Sequence, residues 1–383
     1  MKRIAVIGSG ISGLYISNLL RENLDYEITI YEKNNSINLE KGYGIQLSVN
    51  SVKLLNKIGF KDINPEKKFN PYKVDFYSLK NNKKICDLDI STFNENEAKY
   101  TTLQRSTLIE FLKNKLPSNF INYNKKVIKI NHHSKNIELF FEDNSLVECD
   151  YLIVSDGVFS TSKSLIAKKE IKPKYFNSIA VRAVVEKNYI QGINNNNISL
   201  FLGSNLHSVI YPINKSNEFN FISILRKNLT EEKINNHFLS KDKAFTSLIL
   251  SEISKQIDKN ILNNLKNIKC SPVFVSTEIH YLKNKNIFLI GDAFFTFPPT
   301  FAQGASQSIE FAFELYKNLQ NESDNFNKYR IKRTIMINKK SKFNYFVFHI
   351  SNPLIVFIRN ILMKYLLKNN KFINSYLGKV YKN

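Results

Sequence analysis

The sequence lacks tryptophan and has only three cysteines and three methionines in 383 residues. Cys86, Cys149 and Cys270 stand far apart, in no metal-ligand or redox spacing. A disulfide framework and a cysteine-built metal centre are therefore not expected, and the thiols read as reduced, in a cytoplasmic protein. Long apolar runs are missing as well. The uncharged, largely apolar run near the C-terminus, Phe343–Ile358, is 16 residues and contains His349, Asn352 and Pro353, whereas a membrane span needs roughly 20 apolar residues. Flanked by Lys342, Arg359 and Lys364, this run could rest on a membrane surface or pack on the protein as a C-terminal helix. Acid is scarce: 33 Asp and Glu against 55 Lys and Arg give a net charge of +22. The basic residues read as scattered and no nucleic-acid motif accompanies them, so specific nucleic-acid binding is not expected. A strand-like run, Lys2–Ile7, begins at once and leaves no room for a cleavable leader, so secretion is not expected either.

What is present is a chain with 43% hydrophobic residues, long enough for about two domains. Residues 3–31 read as a β–α–β unit: a continuous apolar strand to Gly8, a helix over Ile11–Arg21, and an alternating strand Glu27–Tyr31. Ser51–Ile58 reads as helical, and 72–90 as two strands turning at Asn81-Asn82. Thr107–Leu116 reads as a helix with Thr107 and Glu110 as a capping box. A small meander is expected over Lys126–Ile130, Ile137–Glu142 and Leu146–Cys149, then a buried strand Tyr151–Ser155. Strands follow at Ile179–Glu186, Ile198–Leu202, Ser208–Ile213 and Phe219–Leu225, then helix over Leu239–Leu265. Ile287–Ile290 is another buried strand, 304–319 has helical spacing, and the tail beyond 325 is helical.

Three strand ends carry chemistry. Gly8-Ser9-Gly10-Ile11-Ser12-Gly13 lies between a strand and a helix. Gly8 suits a tight turn, Gly10 lets backbone approach a pyrophosphate, and Gly13 permits close helix–strand packing. Helix amides and their dipole then hold the anion. Glu32 closes the second strand 19 positions after Gly13, where a carboxylate can bond ribose hydroxyls. The other two ends are Asp156-Gly157 and Gly291-Asp292-Ala293, the latter followed by Pro298-Pro299 and Gln303-Gly304-Ala305. In open α/β sheets, ligands bind outside the carboxyl ends of strands. Glu32, Asp156 and Asp292 are therefore expected on one edge of one sheet.

This ordered set resembles the single-component flavin monooxygenases typified by 4-hydroxybenzoate and salicylate hydroxylases. Besides the strand ends it includes Gly42-Tyr43-Gly44-Ile45-Gln46-Leu47, Gln104-Arg105, Asp150–Ser160 and Tyr329-Arg330 with Arg333. The resemblance implies an α/β fold: a Rossmann-like FAD-binding domain of the glutathione-reductase (GR2) type, with a parallel sheet and an antiparallel meander. It further implies an inserted, mostly antiparallel substrate domain and C-terminal helices. The implied division is 1–71, 99–174 and 272–325 for FAD, 72–98 and 175–271 for substrate, and 326–383 for the helical tail. It implies FAD as cofactor and NAD(P)H as visiting co-substrate. Gly8, Gly10, Ser12, Gly13, Gly44, Ile45, Gly157, Gly291 and Pro299 would line the cofactor, and Glu32 would bind the adenosine ribose. Arg105 would approach the pyrophosphate, and Val127 the adenine through its backbone. Asp156 would serve FAD and NAD(P)H, and Asp292 the ribityl or phosphate side. Gly304 and Ala305 would offer amides to the flavin pyrimidine ring.

The implied reaction inserts one oxygen atom of O2 into an aromatic, phenolic or aromatic-carboxylate substrate through a flavin C4a-hydroperoxide, with no metal. Pro298 would wall the reacting site. His207 and Tyr211, four apart on a strand, would face one pocket with Gln303 and assist the phenol proton; a structural His and a core Tyr read equally well. Arg182 resembles a family arginine and is read as structural. The sequence departs from the family at Phe295 (commonly His), Phe311 (commonly Asp), Lys163 (commonly Arg) and Ser155 (commonly Ala). A hydroxylase or epoxidase of a lipid-like substrate at a membrane surface is the second expectation, motivated by the apolar, basic tail. A non-catalytic or RNA-associated flavoprotein is the third. A monomer or homodimer is expected.

Overall fold

The computed structural model describes residues 1–37, 39, 43–236, 239–280, 285–321 and 325–382. Gly42, one of the motif residues named above, lies outside the described residues. The chain opens with strand β1 (Lys2–Ile7), helix α1 (Ile11–Leu20) and strand β2 (Tyr26–Tyr31). Next come β3 (Gly44–Leu47), α2 (Val49–Leu55), β4 (Lys68–Phe69), β5 (Lys73–Ser78), β6 (Lys84–Asp89), β7 (Thr101–Gln104) and α3 (Arg105–Asn114). Then follow β8 (Ile121–Asn122), β9 (Val127–His132), β10 (Ile137–Phe141), β11 (Leu146–Cys149), β12 (Tyr151–Val154) and α4 (Thr161–Ala167). The middle of the chain holds β13 (Lys174–Glu186), β14 (Ile198–Leu202), β15 (Leu206–Pro212) and β16 (Glu218–Arg226), then α5 (Glu231–Asn235), α6 (Lys243–Ile253), α7 (Lys259–Asn263) and β17 (Lys266–Val275). It ends with β18 (Ile287–Leu289), α8 (Gly304–Leu319), α9 (Phe326–Phe348) and α10 (Pro353–Leu366), ahead of short helical turns.

Five parallel strands stack in the order β18-β12-β1-β2-β8. Burial of Ile4–Ile7, Leu152–Val154 and Ile287–Leu289 explains why these strands are continuously apolar. Because all run the same way, Gly8, Glu32, Asp156 and Gly291-Asp292 leave the sheet at one edge. The expected meander forms as β11-β10-β9. A small sheet β3-β7-β4 completes this α/β body.

The second sheet has seven strands, β17-β13-β16-β15-β14-β5-β6, antiparallel except for β14 beside β5. Its two faces alternate along each strand. Ile179, Val181, Ala183 and Val185 pack beneath α6 and α7. Their neighbours Arg182 and Val184 face the other way, as do His207, Val209 and Tyr211 of β15. That second face roofs the cavity described below.

Three local expectations are corrected. Helix α3 starts at Arg105 with Gln104 at its N-cap and no side-chain cap, so Thr107 and Glu110 sit inside the helix and form no capping box. The single helix expected over Leu239–Leu265 is two, because Asp258 starts α7 by accepting from the Asn260 amide at 2.7 Å. Strand β17 was not expected at all. Pro272 sits in it, which is tolerated because β17 is an edge strand. The tail also breaks: α9 stops at Phe348, and Asn352 caps α10 by accepting from the Leu354 and Ile355 amides at 3.0 and 3.2 Å. The run Phe343–Ile358 is thus a corner between two helices.

Candidate functional site

Two chambers meet at the parallel-sheet edge. The larger, about 1200 Å³, lies between the edge and the seven-stranded sheet. The smaller, about 240 Å³, lies over the ends of β1 and β2. Gly10, Ser155, Gly157 and Phe159 line both, so the two form one continuous trough.

Glu32, Val127 and Asp156 line the small chamber together with Gly8. Glu32 is buried and held from both sides. One carboxylate oxygen accepts from the Ser9 amide at 3.1 Å and hydroxyl at 2.6 Å; the other accepts from Asn34 at 3.0 and 2.7 Å. Asp156 accepts from the Ser162 amide at 3.2 Å through Oδ2, while its buried Oδ1 has no hydrogen-bond partner among the described residues. A buried carboxylate oxygen left bare invites a donor from a ligand.

Gly10, Ser12, Gly44, Ile45, Arg105, Gly157, Asp292, Pro298, Pro299, Gln303, Gly304 and Ala305 line the large chamber, as do His207 and Tyr211. The glycines differ in purpose. A Cβ on Gly10 or Gly304 would meet nothing within 4 Å, so both leave room for something outside the chain. A Cβ on Gly13 would lie 2.1 Å from the Gly8 carbonyl oxygen, so Gly13 serves helix–strand packing. Gly8 has φ +96°, a left-handed conformation that favours glycine. Gly44 lines the chamber yet is wedged against Ile213 and Asn220. Gly13 and Gly291 line neither chamber; Gly291 lets β18 end against Ser12.

Burial pushes the Asp292 carboxyl up to about 6, while the Arg105 charge opposes the rise. His207 is buried, with Nδ1 3.0 Å from Nε2 of His349, a partner not singled out from the sequence. Burial, then the neighbouring imidazole, hold His207 well below the ordinary histidine value. His349 is pushed down to about 4, also by burial. Burial raises the Tyr211 hydroxyl, and Arg182 works in the opposite direction. Arg182 donates to the Ser271 hydroxyl at 3.0 Å and stacks over Tyr43 at 5.2 Å. It therefore has the expected structural bonds and also lines the chamber. Tyr100 donates to Gln46 at 2.7 Å beside it. These groups form a polar patch in a chamber otherwise walled by Phe76, Leu88, Ile198, Leu200 and Ile224.

Arg330 and Arg333 fold away from the chamber onto Glu310, at 3.2 and 2.7 Å. Phe311 lies under the Arg330 guanidinium at 3.7 Å, a cation–π contact that adds to the Glu310 pair.

The geometry is that of a trough with nucleotide-binding donors and acids opening into a larger chamber, and the comparisons give the family and the fold in which it lies. Residues 1–325 match the family model described as "FAD binding domain". The chain belongs to this family, and FAD is its cofactor. It is 28% identical over 187 residues to a 6-hydroxynicotinate 3-monooxygenase of Pseudomonas fluorescens, covering 48% of this chain and 47% of that one. It is 24% identical over 214 residues to a 3-amino-4-hydroxybenzoate 2-monooxygenase of Streptomyces cremeus, covering 55% and 53%. The chain thus spans about half the length of these curated relatives. Among solved structures, Klebsiella pneumoniae HpxO complexed with FAD and uric acid superposes with a TM-score of 0.82 at 17% identity, covering 98% of this chain and 95% of that one. The resemblance and the fold class read from the sequence are borne out. The residues fit the cofactor: the bare Asp156 oxygen, the empty space at Gly10 and Gly304 and the oriented Glu32 all lie along one trough.

Proposed function

We propose that the chain is an FAD-dependent, NAD(P)H-using monooxygenase that adds one oxygen atom of O2 to an aromatic substrate in the large chamber. The observation that carries this reading is the continuity of the trough. One end offers the donors and acid of a nucleotide site, and the other an enclosed, mostly apolar room with a polar patch. Flavin, when bound, would supply the redox chemistry between the nicotinamide and O2.

The chain's residues bind, orient and exclude water. The α1 N-terminus after Gly8, with Gly10 and Ser12, holds the pyrophosphate with Arg105. Glu32 takes the ribose, Val127 the adenine, Asp156 and Gly157 the sugar, and Asp292 the ribityl hydroxyls on the phosphate side. Gly304 and Ala305 lie at the N-terminus of the 16-residue α8, whose dipole favours negative charge on the reduced ring. Gly44, Ile45, Pro298 and Pro299 wall the ring and keep the site dry. His207 is held too far toward its neutral form to store a proton at neutral pH. It accepts a hydrogen bond from a substrate hydroxyl through Nε2, since Nδ1 faces His349. Tyr211 keeps its proton and donates. Gln303, held by Ser48 and Gln307, orients the substrate near the ring.

The test is oxidation of NADH or NADPH by the flavin-loaded protein with a panel of hydroxylated aromatics, followed by product mass. The expected result is stimulated oxidation and a product heavier by one oxygen atom. Unstimulated oxidation across the panel would refute the reading.

A further inference from the structure

The surface around the C-terminal corner differs from the rest of the molecule. Along α10, Leu354, Ile355, Phe357, Ile358, Ile361, Leu362 and Tyr365 are all exposed, between 47% and 71%. At 100° per residue they sweep an arc of about 160° without a charge, while Arg359 on the opposite side is buried. Phe343 and Phe346 of α9 extend the patch, 56% and 61% exposed. Single exposed apolar residues are ordinary, but nine together mark a contact surface.

Two further observations name the partner. Residues 326–383 contain ten lysines, three arginines and no acidic residue. The positive charge is therefore concentrated in the tail rather than scattered as expected, and exposed Lys342, Lys364, Lys368 and Lys371 stand close in sequence to the apolar face. Second, Phe343, Phe346, Ile355, Ile358 and Leu362 belong both to this face and to the lining of the large chamber. The chamber's mouth is therefore cut into the apolar patch.

We propose that the protein docks on anionic lipid bilayers through the outward face of α9 and α10. The mouth then faces the hydrocarbon, and an apolar aromatic substrate enters from the bilayer. The part concerning substrate rests on the function proposed above. The 14-residue α10 is about 21 Å long, too short to span, so it lies in the interface. A second copy is a poor occupant, because a two-fold contact would set two acid-free, lysine-bearing faces against each other. RNA is a poorer one: four of the nine exposed residues are aromatic, but the other five, Leu354, Ile355, Ile358, Ile361 and Leu362, are aliphatic and give bases nothing to stack on.

The test is flotation of the full-length, flavin-loaded protein with phosphatidylcholine vesicles and with mixed phosphatidylcholine–phosphatidylglycerol vesicles. The protein should float with the mixed vesicles far better than with phosphatidylcholine alone. Leu354→Glu/Phe357→Glu/Ile361→Glu changes only exposed residues outside the chamber lining. It should abolish flotation while leaving the flavin absorbance and vesicle-free NAD(P)H oxidation unchanged. Lys364→Ala and Lys368→Ala should each weaken binding about five-fold. The proposal is overturned if the yellow protein stays at the bottom with anionic vesicles, or if the triple variant floats as well as the parent. It is also overturned if the parent is a dimer or an RNA complex that the triple variant dissolves while neither protein floats. Flotation by a protein that oxidises no NAD(P)H with any aromatic would instead refute the proposed activity and leave the docking intact.

Discussion

Gly10 and Gly13 lie three residues apart in one motif, yet the structure assigns their substitutions opposite consequences. At Gly13, a methyl group would sit 2.1 Å from the Gly8 carbonyl oxygen and 2.5 Å from Ser155 Oγ. The serine could turn away only by giving up its bonds to the Ile7 and Gly8 carbonyls at 2.8 and 3.0 Å. The carbonyl cannot turn, so α1 must move about 1 Å from β1. Overpacking of this kind costs about 3 kcal/mol, or roughly 6 °C of melting temperature at ~2 °C per kcal/mol for a chain of this size. At Gly10 the backbone is extended (φ −78°, ψ −173°), and an added Cβ meets nothing. Gly10→Val should leave the flavin-free protein within about 0.5 kcal/mol of the parent. Its side chain would fill the space where the chain approaches the pyrophosphate, weakening FAD binding about 10- to 100-fold, or ~1.4–2.8 kcal/mol. Thermal unfolding of stripped protein and flavin titration separate the two effects. A Gly10→Val variant that binds FAD like the parent, or a Gly13→Ala apoprotein that melts like it, would refute this reasoning.

Three other predictions concern charge and the polar patch. Glu310→Gln leaves Arg330 and Arg333 buried without a counter-charge and should cost about 3–5 kcal/mol in urea unfolding; Glu95→Gln, which breaks an exposed pair with Lys53, should cost under about 1 kcal/mol. Asp292 has a carboxyl value raised from 3.8 to about 6, so the folded apoprotein holds its proton more tightly than the unfolded chain. That contribution is complete below 3.8 and lost as pH rises through about 6, so Asp292→Asn should stabilise the apoprotein at neutral pH by up to about 3 kcal/mol. The gain should vanish below pH 4 in melts across pH. Tyr211→Phe should lower kcat/KM for a hydroxylated aromatic about ten-fold, one lost hydrogen bond of ~1.4 kcal/mol. It should do so far less for the matching aromatic in which a methyl group replaces the hydroxyl, because no oxygen remains there to accept from Tyr211, as steady-state kinetics would reveal.

Much of the cofactor side was legible because it is local. A buried parallel strand must be apolar throughout, and its end must turn, so Ile4–Gly8, Leu152–Asp156 and Ile287–Asp292 announce themselves. The alternation of His207 and Tyr211 on β15 likewise puts both on one face without any tertiary knowledge. What stayed hidden depends on distant partners. His349 reaches His207 across 142 positions, and nothing near either residue signals the pairing. Strand β17 is masked by Pro272 and by lysines that only an edge strand tolerates. The break between α9 and α10 rests on the Asn352 cap, within a stretch that reads as uninterrupted because it carries no charge. Arg182 looked structural because its role in the chamber follows from the face of β13 that meets β15 and β16.

The central claim is that one trough holds FAD across both chambers. The most direct measurement is a flavin titration of stripped protein, followed by absorbance and fluorescence, for the parent and for Glu32→Ala, Arg105→Ala and Asp292→Ala. These three substitutions touch both chambers, Glu32 the small one and Arg105 and Asp292 the large one. The account predicts a yellow complex of one flavin per chain that each substitution weakens by ten-fold or more, about 1.4 kcal/mol. A parent that cannot be reconstituted with FAD, or tight binding that ignores all three substitutions, would contradict it.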